Sequence, residues 1–244
     1  MTIRVLINGA QGRMGSEAVK AVQAHTDLQL VGKADQGDDL EQVMRLTDPQ
    51  VVVDFTHPYA AYANTLAILN AGRRPVVGTT GFKPEEIARL EQLAAEKKLG
   101  GLIAPNFAIG AILMMRFAQE AARHMPHAEI IELHHDQKAD APSGTAIKTA
   151  EMIAQARPQP PAPKVAETEL APGARGTKAY AVPIHSVRLP GYVAHQEVIF
   201  GALGQTLSIR HDTINRESFM PGVILGIQGV MTVERLVYGL EHFL

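Results

Sequence analysis

The first hundred residues alternate between two patterns of apolar positions. Short, continuous runs rich in β-branched residues indicate strands, and they cover residues 3–7, 28–31, 51–55, 75–77 and 102–104. Stretches with apolar residues every three or four positions indicate helices, and they cover residues 14–24, 60–71 and 85–97. Continuous apolar strands that alternate with helices are typical of a parallel sheet covered on both faces. Joined by right-handed crossovers, these elements predict an α/β fold with a Rossmann-like doubly wound parallel sheet.

The pattern changes after Asn106, where the regular alternation of strand and helix stops. A long helical stretch at about residues 109–124 precedes a strand at 128–134, a polar run, and a second helix at about 145–155. Further strand-like runs, broken by glycine and proline, cover residues 181–189, 192–200 and 205–211. Sequential strands with short connections predict a second, smaller α+β domain built on a mixed sheet.

Two further stretches set the limits of the predicted domains. Residues 157–163 are rich in proline, so we expect a surface loop there. From Glu217 onward the sequence reads as helical again. We therefore expect a dinucleotide-binding domain over residues 1–105 and a second domain over 106–216, and the final helices of 217–244 could pack on either.

Composition and charge exclude several classes of function. Hydrophobic residues make up 46% of the 244 residues, charged residues make up 20%, and the formal net charge is -2. With no basic excess to hold a phosphate backbone, we expect no nucleic-acid partner. No apolar run approaches the ~20 residues that span a bilayer, so we expect no membrane span. The start of the chain lacks the layout of a signal peptide, which predicts a cytoplasmic protein. Because the chain has no cysteine, thiolate catalysis and thiolate metal sites are excluded.

A glycine-rich loop follows the first predicted strand and opens the first helix. Gly9, Gly12 and Gly15 are spaced G-x-x-G-x-x-G, so backbone N–H groups could approach a pyrophosphate at the helix N-terminus. Asp35 lies 20 residues after Gly15, at the end of the second strand, where a carboxylate would bind an adenosine ribose. The loop therefore indicates a nucleotide site, although turn glycines that only pack a helix on a strand would give the same spacing.

Two cations beside this loop bear on the choice of cofactor. Arg13 or Lys33 could hold a 2′-phosphate, whereas Asp35 would repel one. The cations favour NADPH and Asp35 favours NADH, so the site could use NADH, NADPH or both. The alternative is that both cations are solvated surface residues.

Two loops follow later strands, at the edge of a doubly wound sheet where ligands bind. In the first, Thr79 and Thr80 stand between Gly78 and Gly81, so backbone groups could come close to a flat nicotinamide ring. The second is residues 104–107, where Asn106 could meet a carboxamide. Either loop alone reads as an ordinary turn, but together they favour a cofactor cleft.

The segment HHDQKADAPSGTA, residues 134–146, carries the densest chemistry. Ser143 is a candidate N-cap, and the amides of Gly144 and Thr145 would then point at a bound anion. If that anion is a substrate carboxylate, Lys138 would add a positive charge beside it. His134 could exchange a proton near neutral pH. The chemistry that follows is hydride reduction of an electron-poor C=C or C=N bond in a carboxylate substrate.

The two adjacent histidines pose a geometric problem, because neighbours on a regular strand point to opposite faces. His134 and His135 can share a pocket only if the strand ends or twists there, and we predict that it does. Structural or surface histidines are one alternative. A zinc site from these two and Asp140 is another, although neither cysteine nor H-E-x-x-H spacing supports it.

At these residues the chain resembles the 4-hydroxy-tetrahydrodipicolinate reductase (dihydrodipicolinate reductase) family over nearly its whole length. Residues 132–146 fit the family signature E-x-H-H-x-x-K-x-D-A-P-S-G-T-A. The loops G-A-x-G-R-M-G, G-T-T-G and A-P-N-F also match, at residues 9–15, 78–81 and 104–107. The later run S-V-R-L-P-G at residues 186–191, with H-Q-E at 195–197, looks like the family's substrate domain.

The resemblance implies roles for individual residues in reducing a cyclic dicarboxylate with NADH or NADPH. His134 matches the family's proton donor and acceptor, Lys138 its proton donor, and His135, Gly144 and Thr145 its substrate contacts, beside which we place Ser143. The residues that we expect at the cofactor are Gly9, Ala10, Gln11, Gly12, Arg13, Met14, Lys33, Asp35, Gly78, Thr79, Thr80, Ala104, Pro105, Asn106 and Phe107. The resemblance also implies C-terminal helices that return to the first domain and a homotetramer formed through the sheet of the second.

Two rival functions remain open at this stage. One is a different NAD(P)-dependent oxidoreductase of a small carboxylate, on the same fold. The other is a sensor that binds NAD(P)H without chemistry, against which the dense histidine and lysine segment argues, since a sensor needs no proton donor.

Overall fold

The computed structural model describes residues 2–159, 165–166 and 168–244. The chain divides into two compact units. Unit 1 comprises Met1–Ile109 and Arg216–Leu244, and unit 2 comprises Gly110–Asn215. Each unit is built around its own β-sheet. In the described ranges, no helix is both long and apolar enough to cross a membrane.

The elements are numbered in chain order. The strands are β1 (Ile3–Asn8), β2 (Leu28–Ala34), β3 (Val51–Asp54), β4 (Arg74–Val77), β5 (Gly101–Ile103), β6 (His127–His134), β7 (Thr177–Ala179), β8 (Val182–Arg188), β9 (Ala194–Ala202), β10 (Gln205–Thr213) and β11 (Leu236–Tyr238). The α-helices are α1 (Arg13–Ala24), α2 (Leu40–Thr47), α3 (Pro58–Asn70), α4 (Pro84–Lys97), α5 (Ile109–Ala122), α6 (Gly144–Ala156) and α7 (Met220–Gly229). Two 3-10 helices span Arg216–Phe219 and Leu240–Phe243.

The sheet of unit 1 has six parallel strands in the order β2-β1-β3-β4-β5-β11. All four residues of β3 are buried, which fits a central strand covered on both faces. The chain direction across the sheet reverses between β1 and β3. In open parallel sheets, ligands bind at such a switch point, beyond the carboxyl ends of the strands. The expected Rossmann-like sheet is therefore confirmed, and its switch point lies at the ends of β1 and β3.

The helical reading of the segment after Glu217 is wrong for its last part. Helix α7 is present, but Leu236 and Val237 are buried in β11, which pairs in parallel with β5. A three-residue strand is too short to show a period of two, so its apolar residues continued the helical spacing of α7. The sequence reading also gave no element at α2 or at β7.

Unit 2 contains a mixed five-stranded sheet in the order β10-β9-β6-β8-β7. The central strand β6 pairs in parallel with β8 and antiparallel with β9, so the predicted mixed sheet is confirmed. On β6, burial alternates, and Ala128, Ile130 and Glu132 occupy the buried face. A carboxylate thus stands at a position where the strand pattern calls for an apolar side chain.

The loop predicted at residues 157–163 falls partly outside the described residues, which end at 159 and resume at 165. Arg157 closes α6, and its buried guanidinium donates hydrogen bonds to the carbonyl oxygens of Pro126, Tyr180 and Ala181. These contacts tie the end of α6 to the strand region of its own unit.

Candidate active site

The glycine loop of unit 1 is shaped first by its own packing. Gly9 has a φ of +82°, and a Cβ there would lie 2.6 Å from the carbonyl oxygen of Phe55. A Cβ on Gly15 would lie 1.9 Å from the oxygen of Gly9. Both positions therefore require glycine whether or not a nucleotide binds, so the packing alternative holds for these two residues. At Gly12 a Cβ would stand 3.2 Å from the oxygen of Gly9, which is tight but not excluded.

The amides of this loop are partly engaged within the protein. The N–H groups of Gly9 and Ala10 both donate to the carbonyl oxygen of Ala34, at 2.9 and 3.1 Å. The N–H of Gly12 donates to Gly9 at 3.0 Å. The loop amides of Gly9, Ala10 and Gly12 therefore have partners within the protein, and the first turn of α1 stays the predicted place for a phosphate.

The N-terminus of α1 fits an anionic cofactor. Gly12 is its N-cap and supplies no side-chain hydrogen bond, and the first turn carries no acidic residue. Its exposed first residue is Arg13, and Met14 follows, half-buried. Unpaired N–H groups and the helix dipole favour a negative charge there, as on a dinucleotide's pyrophosphate.

Asp35 connects the end of β2 to the glycine loop. Its Oδ2 accepts from the N–H of Gln11 at 2.6 Å, and its Oδ1 accepts from the N–H of Gln36 at 2.8 Å. The side chain of Lys33, on the same strand, is exposed, as is that of Arg13. One anionic and two cationic side chains thus flank the loop, and this arrangement does not discriminate between NADH and NADPH.

A buried carboxylate that the sequence reading missed lies at the switch point. Asp54 ends β3, is fully buried, and accepts hydrogen bonds from four side chains: Asn8 at 2.8 Å, Asn64 at 2.9 Å, Thr56 at 2.7 Å and Thr79 at 3.1 Å. These hydrogen bonds satisfy its carboxyl oxygens, as is usual for buried polar groups. Asp54 therefore fixes the threonine loop to the ends of β1 and β3. In the sequence, only its place as the one polar residue in the apolar run 51–55 pointed to it.

The loop after β4 is held by aromatic packing. A Cβ on Gly78 would lie 2.1 Å from the ring of Phe55, and that ring meets Phe107 edge to face at 5.8 Å between centroids. Thr79 is buried against Asp54, whereas Thr80 is exposed. Thr80 is thus the threonine whose side chain is open to a ligand.

The loop after β5 turns the chain into α5. Ala104 and Phe107 are buried, Pro105 is exposed, and the Oδ1 of Asn106 accepts from the N–H of Ala108 at 2.8 Å. Phe107 therefore serves the core of unit 1 with its ring, so any contact that it makes with a cofactor involves its backbone.

In unit 2, the predicted end of the strand is confirmed. β6 ends at His134, so His135 already lies outside the strand. Strand geometry therefore does not force the two side chains onto opposite faces of the sheet. The N–H of Lys138 donates to the carbonyl oxygen of His135 at 3.2 Å, which closes a turn. The polar segment therefore begins where the sheet geometry stops.

His134 is held by a residue that we did not predict as functional. Its Nδ1 lies 2.5 Å from Oε2 of Glu132, whose side chain is fully buried. Arg188 also contacts both carboxylate oxygens of Glu132, at 2.8 Å each. Burial alone would raise the pKa of Glu132, but the hydrogen bonds from His134, Arg188 and Ser186 outweigh it and lower the pKa to about 2. Glu132 and Arg188 both belong to the family motifs quoted above. They are 56 positions apart, so nothing in the local sequence showed that they form a pair.

Lys138 and Asp140 form a close ion pair on the same loop. The Nζ of Lys138 lies 2.7 Å from both carboxylate oxygens of Asp140. The lysine side chain is 22% exposed and the aspartate side chain 66%, so a ligand carboxylate can compete for the ammonium group. The hydrogen bond from Lys138 lowers the pKa of Asp140, which favours its charged form.

The predicted N-cap of α6 is confirmed. Ser143 is buried, and its hydroxyl accepts from the N–H of Ala146 at 3.2 Å. Gly144 is exposed, and a Cβ there would have no neighbour within 4 Å. The serine hydroxyl thus caps the third residue of the helix, Ala146, and not Gly144. Thr145, the second residue, is half-buried. This leaves open space at the helix start, where the dipole favours a carboxylate.

Two of the three residues considered as zinc ligands have other partners. His134 contacts Glu132 and Asp140 contacts Lys138. In the part of the chain that the structure describes, no group of three or more His, Asp and Glu side chains is arranged to hold a metal ion. What unit 2 offers instead is an imidazole, an ammonium group and a helix N-terminus, a set suited to binding a carboxylate and moving a proton.

Comparison with known proteins identifies the family. The model for the N-terminus of dihydrodipicolinate reductase matches residues 3–107, and that for its C-terminus matches residues 110–244. The chain is 52% identical over 264 residues to the 4-hydroxy-tetrahydrodipicolinate reductase of Geobacillus kaustophilus, and 55% identical over 256 residues to that of Streptococcus suis, covering 100% of both chains each time.

A solved structure gives the same result. The dipicolinate-bound dihydrodipicolinate reductase from Paenisporosarcina sp. TG-14 superposes with a TM-score of 0.91 at 45% sequence identity, and the match covers 100% of each chain. Reductases of this family use NADH or NADPH. The family models, the relatives and the shared fold together show that the chain belongs to the dihydrodipicolinate reductase family.

Proposed function

We propose that this protein reduces 4-hydroxy-tetrahydrodipicolinate to tetrahydrodipicolinate with NADH or NADPH, a step of lysine and diaminopimelate biosynthesis. The observation that carries the proposal is the cluster of His134, Lys138 and the α6 N-terminus in unit 2 of a chain of this reductase family. Its relatives bear the name of this activity, and a related structure holds dipicolinate.

The reaction replaces the 4-hydroxyl group of the substrate by hydrogen, so one hydride and one proton enter and one water leaves. The reduced nicotinamide supplies the hydride when it is bound. Because the substrate is a dicarboxylate, the protein must bind two carboxylates. It must also transfer one proton.

Unit 2 provides groups for both tasks. Lys138 is the primary cation for a substrate carboxylate and a proton donor, and the helix start at Gly144 and Thr145 is the second anion site. His135 and Ser143 border the same loop. Because an ionised Glu132 only accepts hydrogen bonds, the ring of His134 donates to it through Nδ1–H, and Nε2 is the nitrogen that exchanges a proton during reduction.

Unit 1 provides the cofactor site. The first turn of α1, from Gly12 to Met14, receives the pyrophosphate, and Asp35 binds the adenosine ribose after releasing Gln11. The exposed cations, Arg13 and Lys33, accommodate the 2′-phosphate of NADPH. The loops at residues 78–80 and 104–107 border the nicotinamide, held in shape by Asp54 and the two phenylalanine rings.

We propose a homotetramer formed through the sheet of unit 2, in the cytoplasm. Strand β10 lies at the edge of that sheet, and the leucines Leu203 and Leu207 beside and within it are exposed. Light scattering should give about four times the 26.3 kDa of one chain, and Leu207→Glu should lower that mass. A wild-type protein with the mass of a single chain would contradict the assembly.

The test of the activity is a coupled assay. The preceding synthase generates the substrate in place, and the absorbance of NADH or NADPH is followed in separate reactions. Lys138→Ala should lose about 100-fold in kcat, since proton transfer contributes that much, with an unchanged cofactor dissociation constant. The control is Lys148→Ala, which removes an exposed lysine of α6 paired with Glu151 and should turn over normally.

Each rival function predicts a different result in this assay. Oxidation of the cofactor with other carboxylates, but not with this substrate, would indicate a different oxidoreductase. Cofactor binding without oxidation would indicate a sensor. A loss of cofactor affinity in Lys138→Ala would show that Lys138 belongs to the cofactor site and not to the substrate site.

A further inference from the structure

We propose that Arg188 and Glu132 are positioning residues for the proton-transfer site of unit 2. In this clamp, the half-buried Arg188 fixes the loop that carries Lys138, and the fully buried Glu132 fixes the ring of His134. The inference rests on the function proposed above for His134 and Lys138. Neither member of the clamp is assigned a contact with substrate, so each acts through another residue.

Arg188 uses all five N–H donors of its guanidinium. Nε donates to the carbonyl oxygen of Lys138 at 3.3 Å, and Nη1 donates to Glu132 and to the carbonyl oxygen of Val187, both at 2.8 Å. Nη2 donates to Glu132 at 2.8 Å and to the carbonyl oxygen of Asp140 at 2.7 Å. Arg188 lies on β8, 50 positions after Lys138, so these bonds fasten both ends of the segment Lys138–Asp140 to the sheet. Lysine could not reproduce this planar fork.

Glu132 completes the clamp from β6. Its Oε1 accepts from the N–H of Ser143 at 3.2 Å as well as from Arg188, and its Oε2 accepts from His134 at 2.5 Å as well as from Arg188. One carboxylate therefore joins the histidine, the arginine and the residue that caps α6. An ionised carboxylate only accepts hydrogen bonds, so it selects the tautomer of His134 with the proton on Nδ1.

Packing alone does not account for this arrangement. The same face of β6 carries Ala128 and Ile130, which are buried, so an apolar residue at position 132 would continue the core. Burying the Glu132 carboxylate completely, and its arginine partner in part, costs desolvation energy that an apolar pair avoids. What the charged pair adds is direction, because it aims a single ring nitrogen and holds a single loop geometry.

The experiment compares Glu132→Gln and Arg188→Lys with the wild-type enzyme. The matched control, Arg123→Lys, makes the same substitution in an exposed ion pair with Glu120 on α5. Glutamine would turn an amide N–H₂ toward donors, and lysine would lose the fork. Both clamp variants should lower kcat about 100-fold and change the NADH dissociation constant by less than about twofold. In Arg123→Lys, kcat should also change by less than about twofold.

A second readout reports the ring directly. Nitrogen-15 NMR should find neutral His134 protonated on Nδ1 in the wild type, and a mixture of tautomers in Glu132→Gln. A purely structural role would lower the melting temperature without changing the tautomer. If both variants fail to fold, the tautomer of the wild type still decides, because protonation on Nε2 there would overturn the proposal.

The outcomes separate this inference from the proposed function. If Lys138→Ala is inactive but both clamp variants keep kcat within about threefold of the wild type, the clamp is wrong and the function stands. If the wild type does not oxidise the cofactor with this substrate, the function is wrong, and the tautomers of the wild type and Glu132→Gln still test the clamp.

Discussion

Gly15 and Gly144 illustrate how the same residue type serves different ends in the two units. A Cβ on Gly15 would collide with the carbonyl oxygen of Gly9 at 1.9 Å, whereas a Cβ on Gly144 would meet nothing within 4 Å. Gly15 is therefore required by the packing of α1 on its loop. At Gly144 the described residues leave room for a Cβ, so packing does not require glycine there.

Alanine at Gly15 should affect stability, whereas alanine at Gly144 should affect substrate binding. Gly15→Ala should lower the free energy of unfolding by about 3 kcal/mol, because backbone atoms must move to admit the Cβ. Gly144→Ala should change it by less than about 0.5 kcal/mol but raise the KM for the dicarboxylate. Urea denaturation and steady-state kinetics check both, and an unchanged KM in Gly144→Ala would remove this residue from the substrate site.

The carboxyl group of Glu132 should make stability depend on pH. Its pKa is lowered from 4.5 to about 2 in the folded protein. A lowered pKa contributes stability that is fully present above about pH 4.5 and is lost as the pH falls through about 2. By linkage, this loss amounts to about 3 kcal/mol. Denaturation between pH 6 and pH 2 should therefore show a smaller pH-dependent loss in Glu132→Gln than in the wild type, and equal losses would contradict the assignment.

Among the elements, the ends of strands and helices carry most of the chemistry. The stop of β6 at His134 and the Ser143 cap of α6 followed from the sequence, because a cap and a strand end are local features. Asp54, and the pairing of Glu132 with Arg188, did not, because their hydrogen bonds join distant elements. The parallel strands before residue 106 were predictable from continuous apolar runs, whereas β11 was too short for any period to show.

Strand β11 should contribute measurably to unit 1. Leu236 is buried in a cluster with Leu69, Val77, Leu90 and Ile103, among others. Leu236→Ala should lower the free energy of unfolding by about 3 kcal/mol, the cost of a cavity in a packed core. Leu244→Ala, at a more exposed leucine, should cost less than about 0.5 kcal/mol. Equal costs for the two variants would show that β11 is not a structural part of the sheet.

At the scale of the whole molecule, the chain builds two compact units. It leaves unit 1 after Ile109 and returns to it at Arg216, so the last helix and strand complete the first sheet. The family models also meet between residues 107 and 110. In the proposed division of labour, unit 1 holds the dinucleotide, and unit 2 holds the dicarboxylate and the proton-transfer groups.

The most direct test of this account follows the hydride itself. The enzyme is incubated with the synthase reaction and with NADH or NADPH that carries deuterium on the reactive face of C4, and the product is analysed by mass spectrometry. We expect tetrahydrodipicolinate with one deuterium per molecule, formed by the wild type and about 100-fold more slowly by Lys138→Ala. Cofactor oxidation without deuterium in that product, or no oxidation at all, would contradict it.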